Sequence, residues 1–217
     1  MNIVKELTVD YITHSGDDLL VVNAARVSMD KHKDVYDESD TKLINYLATH
    51  NHFTPFTHPQ ITLREEVPIF VARQRFKHMV GFTYNEVSRR YVSTEPSIYM
   101  PPSWRYKPEK NIKQGSGGDM RADTNSLVNS LVISSLDKAL MTYDSLLECE
   151  VAPEQARMVL PQNMMTSYYV TGSLAAFARA YKLRISEDSQ KEIQELAKKW
   201  NEIISKLYPV SWAALIM

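Results

Sequence analysis

Cysteine is almost missing from the 217 residues: Cys149 stands alone. One thiol excludes a disulfide framework and a cysteine-rich zinc site. Long apolar runs are missing as well, and nothing near Met1-Asn2-Ile3 has the charged-then-apolar pattern of a secretory leader, so a cytoplasmic protein is the expectation. An excess of either charge is also lacking, with 25 Lys and Arg against 26 Asp and Glu for a net charge of -1. A nucleic-acid binder would carry basic excess along a whole face, so any basic cluster here is a local patch. Internal repeats and low-complexity tracts do not occur. What remains is a chain of one-domain length, 1–217, able to bury roughly 70% of its unfolded surface without covalent staples.

The chemistry concentrates between Val71 and Tyr91, where Arg73, Arg75, Lys77, His78, Arg89 and Arg90 surround Asn85-Glu86-x-Ser88. A solvated helix face or surface patch is the plainer reading of such a basic segment. Guanidinium and ammonium groups beside amide, carboxylate and hydroxyl groups suit a ligand with phosphates at one end and a hydrogen-bonding ring at the other. That description fits a nucleotide. Pro68 reads as the first residue of a short helix that runs to Gly81 and brings Gln74, Lys77 and His78 to its C-terminal end. Phe82 to Tyr91 reads as partly extended.

Elsewhere, Asn2 to Ile12 alternates like a strand, and Asp17 or Asp18 can cap a helix through Val27. Ser39 or Asp40 can cap the next helix, which carries Leu43, Ile44 and Leu47. Ile61, Leu63 and Val67 alternate with Thr62, Arg64 and Glu66 as a strand leading into Pro68. Lys113-Gln-Gly-Ser-Gly-Gly-Asp119 reads as a surface insertion, near 111–124, in preference to a lid. Leu131, Leu136, Leu140, Tyr143 and Leu147 mark a long amphipathic helix. A short proline-bounded helix with Arg157 follows, then a strand over Thr166 to Thr171, a helix capped by Ser173 and ending in Lys182-Leu-Arg184, and a closing helix with Ile193, Leu196, Trp200, Ile203 and Leu207. The fold class is α+β, a small mainly antiparallel sheet packed with helices.

Two motifs invite chemistry and are read conservatively. His50-Asn-His52-Phe-Thr-Pro-Phe-Thr-His58 holds three histidines, but Pro55 breaks the period that would converge them and no carboxylate or cysteine accompanies them, so no metal is expected. Cys149 lies between Glu148 and Glu150, and flanking carboxylates disfavour a thiolate, so it is not expected to act as a nucleophile.

Pro68-Ile-Phe-Val-Ala-Arg-Gln-x-Phe-Lys-His-x-Val and Tyr84-Asn-Glu-x-Ser-x-Arg-Tyr91 closely resemble the signature of the flavin-dependent thymidylate synthases. Ala24-Ala-Arg-Val-Ser28, His52-x-Thr54-Pro-Phe and Ala156-Arg-x-Val-Leu-Pro161 extend the resemblance over roughly Asn23 to Leu207. There are departures: Lys77-His78-Met79 stands where the family has Arg-His-Arg, one extra residue falls between Val80 and Tyr84, Thr57 replaces a glutamate, and Arg179 replaces an asparagine.

The resemblance implies a methyltransferase that makes dTMP from dUMP, with methylenetetrahydrofolate as one-carbon donor and NADPH reducing FAD, in the cytosol of a bacterium or of a virus-infected host. It assigns dUMP to Gln74, Lys77, Glu86, Ser88, Arg89, Arg90, Arg157 and Arg184, with Arg184 catalytic beside the pyrimidine. It assigns FAD to Ser28, His52, Thr54, Lys77, His78, Met79, Asn85, Glu86 and Arg179. It further implies a homotetramer with shared active sites. A nucleotide- and flavin-binding protein of the same fold with weakened turnover is the alternative, and a nucleic-acid binder or a purely structural helical protein explains the Asn85-Glu86-x-Ser88 cluster less well.

Overall fold

In the computed structural model, which describes residues 1–92, 94–109 and 115–217, a short strand β1 (Asn2–Val4) precedes β2 (Thr8–Ser15), α1 (Asp18–Arg26) and α2 (Glu38–Thr49). Then come β3 (Gln60–Pro68), α3 (Ile69–Arg75), β4 (Phe82–Glu86), β5 (Ser97–Tyr99) and the 27-residue α4 (Ala122–Glu148). The chain ends with α5 (Pro153–Ala156), β6 (Met165–Ser173), α6 (Leu174–Arg184), α7 (Lys191–Leu207) and α8 (Pro209–Ile216).

Four strands form an antiparallel sheet in the order β2-β3-β6-β4, and β1 pairs with β5 in a separate parallel ribbon. The α+β expectation holds. Register follows from alternation: Ile61, Leu63 and Val67 of β3 and Tyr168 and Val170 of β6 all point into one core, because a period of two sends every second side chain to the same face. Helices α6, α7 and α8 bury that face with Phe177, Leu196, Trp200, Ile204 and Trp212. The opposite face, with Thr62, Arg64, Ser167, Tyr169, Thr83 and Asn85, is at most partly covered.

Several local expectations need correction. The Asn2 to Ile12 strand is two strands in different sheets. Asp37, and not Ser39 or Asp40, is the N-cap of α2, since Asp37 accepts from Ser39 while Asp40 Oδ2 accepts back from the Asp37 amide at 2.7 Å. Pro68 closes β3 and sits one position before the helix it was expected to begin, and α3 stops at Arg75 rather than at Gly81. Of the α4 series only Leu131 departs, facing solvent at 63% exposure; Leu136 and Tyr143 are buried in a second small core with Ile98, Met100 and Met164, and Leu140 and Leu147 pack half-buried against it. Residues 113–114 of the glycine-rich stretch lie outside the described residues. Gly117 and Gly118 bond with Tyr106 along the main chain, and Arg105 bridges Asp119. Of the closing-helix stripe, Ile193, Leu196 and Trp200 are fully buried, and Ile203 and Leu207 are half-buried against the same core. None of the helices among the described residues is long and apolar enough to cross a membrane.

Candidate functional site

The segment singled out by composition begins in the core. Arg75, fully buried, meets the equally buried Glu65, with Nε 3.2 Å from Oε2 and Nη2 3.3 Å from Oε1. Glu65 also accepts from the Tyr168 hydroxyl at 2.5 Å and the Trp200 indole at 2.9 Å, so its charge is met by several donors. Burial opposes the Arg75 charge, but Glu65, with Tyr84 and Tyr168, more than offsets it and holds the guanidinium above its ordinary pKa. The arginine carbon lies 4.4 Å from the Phe82 ring and 4.5 Å from that of Trp200. Composition had grouped Arg75 with the cations of a nucleotide-binding segment. The signal for its burial lay in β3, where Glu65 shares parity with Ile61, Leu63 and Val67.

Just beyond Arg75 the chain turns through Gly81, whose φ of +79° favours glycine and where a Cβ would come 2.9 Å from Ala176. The turn sets His78 against the end of α6, where Arg184 Nε donates to His78 Nε2 at 2.8 Å. Nε2 is therefore the unprotonated nitrogen, and the proton of the neutral ring sits on Nδ1. Burial, then the charges of Arg184, Arg75 and Arg179, push the His78 pKa down to about 4, so the ring is neutral near pH 7. Burial and Arg75 lower the pKa of Arg184 from its usual range. Among the described residues the Arg184 Nη atoms make no hydrogen bond, which leaves a two-pronged donor available. Arg179 Nη2 donates to the Val80 carbonyl at 2.5 Å and pins the same turn.

At the far end of β4 lies a cleft of about 630 Å³ lined by Arg64, Arg89, Arg157, Glu86 and Thr166 among others. Glu86 is oriented by the Thr166 hydroxyl at 2.7 Å. Arg89 donates to the Thr94 carbonyl, and Arg157 Nε to the Glu154 carbonyl at 3.3 Å. Ser88 Oγ accepts from Arg90 Nε at 3.3 Å.

The structure thus brings together His78, Arg179 and Arg184 at one end of β4 and Glu86, Arg89 and Arg157 at the other. Lys77 and Met79 are exposed beside the first group. Asn85 stands on the outer face of the sheet. Gln74 buries an amide oxygen that has no partner among the described residues. Ser28 donates to the Ala25 carbonyl at 3.0 Å; it, His52 and Thr54 are exposed, with Thr54 opening the 3-10 turn Thr54–Thr57 that packs on α1 and α6. His50 stacks on Tyr46 with ring centroids 4.1 Å apart, while the His50 and His52 centroids are 6.5 Å apart. Cys149, exposed at the end of α4, lines neither the cleft nor the turn around Gly81. Sequence reasoning missed Arg64, Thr166 and the Glu65–Arg75 pair, because only strand pairing brings β3, β4 and β6 side by side.

The family model described as thymidylate synthase complementing protein matches residues 9–210. Among curated relatives, a flavin-dependent thymidylate synthase from Thermus thermophilus is 37% identical over 203 residues, covering 94% of this chain and 73% of the relative. One of the same description from Thermosipho africanus is 36% identical over 204 residues, covering 93% and 87%. Among solved structures, the UMP/dUMP methylase PolB from Streptomyces cacaoi bound with 5-Br dUMP superposes with a TM-score of 0.89 at 29% identity, covering 99% of this chain and 96% of that one.

Proposed function

Because the chain belongs to the flavin-dependent thymidylate synthase family, we propose that it converts dUMP to dTMP by reductive methylation, with methylenetetrahydrofolate as one-carbon donor and NADPH as reductant of FAD. The observation that carries this reading is the contact between Arg184 and the neutral His78. It joins the Lys77-His78-Met79 segment to the arginine that ends α6 and, among the described residues, leaves a guanidinium fork free.

The residues around the turn fit a flavin nucleotide. Lys77 and Arg179 offer positive charge for a pyrophosphate, and Met79 and Val80, 74% and 75% exposed, offer apolar surface for a ring. The Gln74 amide oxygen, buried and without a partner among the described residues, is an acceptor that we assign to dUMP. When bound, the flavin supplies the redox chemistry of the reaction. In this reading the protein binds, orients and polarises. Arg184, anchored through Nε, directs its Nη donors at the uracil N3 and O4, where a fixed positive charge favours the N3-ionised ring and so activates C5. Arg89, Arg90 and Arg157, with Ser88, hold the phosphate, and Glu86, steadied by Thr166, orients ribose or base. Ser28, His52, Thr54 and Asn85 complete the flavin contacts. Cys149 has no part in the chemistry.

Phe82 and Glu86 are four residues apart on an extended strand, which separates the two ends by roughly 13 Å. A single nucleotide therefore does not use both groups of one protomer with ease, and we assign them to different sites of a homotetramer. The little-covered outer sheet face and the exposed Leu127 and Leu131 of α4, 61% and 63% exposed, offer contact surface to further copies.

The test is anaerobic visible absorbance of the purified FAD-loaded protein on adding NADPH, with and without dUMP. Flavin that stays bound and bleaches at a dUMP-sensitive rate supports the synthase; failure to retain flavin removes the flavin role of this site.

A further inference from the structure

Buried charge behind the turn has no evident task in stability, since an ion pair in a protein interior is often no better than apolar residues of the same volume. Its contacts lead outward in an unbroken line. Arg75 Nη1 donates to the Tyr84 hydroxyl at 2.7 Å, and that hydroxyl lies 2.7 Å from the His78 carbonyl oxygen. With one proton, Tyr84 accepts from Arg75 and donates to His78. The His78 amide in turn donates to the Arg75 carbonyl at 3.1 Å. Both main-chain polar groups of His78 are thereby fixed to Arg75, directly or through Tyr84, and its ring nitrogen receives Arg184 Nε at 2.8 Å.

We propose that Tyr84 and the Glu65–Arg75 pair are positioning residues that set the pose of Arg184 through His78. None of the three touches substrate. Glu65 holds Arg75 with help from Tyr168 and Trp200, Arg75 holds Tyr84, Tyr84 holds the His78 carbonyl, and His78 presents the Arg184 fork at a fixed angle. The charged and titratable groups facing His78 are Arg75 from α3, Tyr84 from β4, and Arg179 and Arg184 from α6. All three arginines favour the neutral imidazole that can accept from Arg184, so geometry and charge act in the same direction. The proposal rests on the synthase reading for the task of Arg184, but the pose itself can be read without turnover.

The test is Tyr84→Phe in the full-length flavin-loaded protein. The ring packs edge-on against Phe76 with centroids 5.0 Å apart, and phenylalanine keeps that contact. Two readouts are expected to move. The His78 imidazole, followed by NMR on histidine-labelled protein, should shift its titration from about 4 toward 6.5 as the ring loses its fixed place. Turnover should fall about 10- to 100-fold, the scale of misplacing a reacting group by an ångström, with the dUMP KM changed less than about threefold. The paired Glu65→Met and Arg75→Met variant, which removes the anchor of Tyr84 without leaving a lone buried charge, should show the same two changes. A Tyr84→Phe protein with wild-type His78 titration overturns the proposal, as does a folded paired variant with wild-type kcat. If the wild type itself neither retains flavin nor methylates dUMP, the synthase reading fails, and the His78 titration still decides whether Tyr84 positions the ring.

Discussion

Replacing Arg75 by methionine strips Glu65 of its cation while leaving it in the core. The carboxylate keeps the Tyr168 hydroxyl and the Trp200 indole, but loses donors at 3.2 and 3.3 Å and the only guanidinium paired with it among the described residues. Breaking one partner from a buried pair costs about 3–5 kcal/mol, because the survivor stays desolvated and unneutralised. At about 2.1 cal/mol/K of unfolding entropy per residue, the 217-residue chain has roughly 0.46 kcal/mol/K at its midpoint. The expected loss in Tm is therefore roughly 7–11 °C. Replacing both members by methionine removes the unpaired charge along with the pair, and the Tm should return to within about 3 °C of wild type. Thermal unfolding followed by circular dichroism, with all variants at the same protein and flavin concentration, makes the comparison. A single Arg75→Met variant within 3 °C of wild type, or a double variant less stable than the single, would refute the account of this pair as a buried, mutually dependent charge couple.

Arg184→Ala should reduce kcat about 100- to 1,000-fold, as for removal of a donor aimed at developing charge, and it should raise the His78 pKa from about 4 by deleting a neighbouring cation; near-normal turnover takes Arg184 out of the chemistry. Cys149→Ser should leave kcat within about twofold, since the thiol lies at the exposed end of α4; loss of turnover with unchanged folding would revive a thiolate mechanism. Stability should fall with acidification between about 6.5 and 4, because the unfolded His78 takes up its proton near 6.5 while the folded ring resists until about 4, so the unfolded chain binds more protons across that window. Urea titrations of wild type and His78→Gln should differ in their pH slope there; identical slopes would show that the folded ring titrates normally.

Local order was largely legible. Asp17 accepting from Leu20 and Ser173 accepting from Ala176 are short-range caps, and the Ser173 hydroxyl marks where β6 ends and α6 begins. Errors cluster where a distant partner overrides local preference. Pro68 was expected to open a helix, but β3 pairs with β6 as far as Pro68 and Met165, so the ladder takes that residue first. Helix α8 went unread because its apolar residues are nearly continuous, with no narrow stripe, and which of them are buried, Trp212 and Ala214, is decided by packing against α1, α2, α6 and α7.

The sequence alone determined the identities that carry the chemistry: the Arg-rich segment, Asn85-Glu86-x-Ser88, Arg157 and the terminal Arg184 were all visible as residue types at recognisable spacing. It also determined the α+β class, through periods of two and 3.6. Only the tertiary structure decided which cations face solvent. Arg75 and Lys77 are two residues apart and look alike in a list, yet one is locked in the core by Glu65 and the other is exposed. It likewise decided that His78 meets Arg184, 106 residues away. Periodicity reports the faces of a single element, whereas a pairing between elements depends on the packing of the whole sheet and its helices, a property that no local window contains.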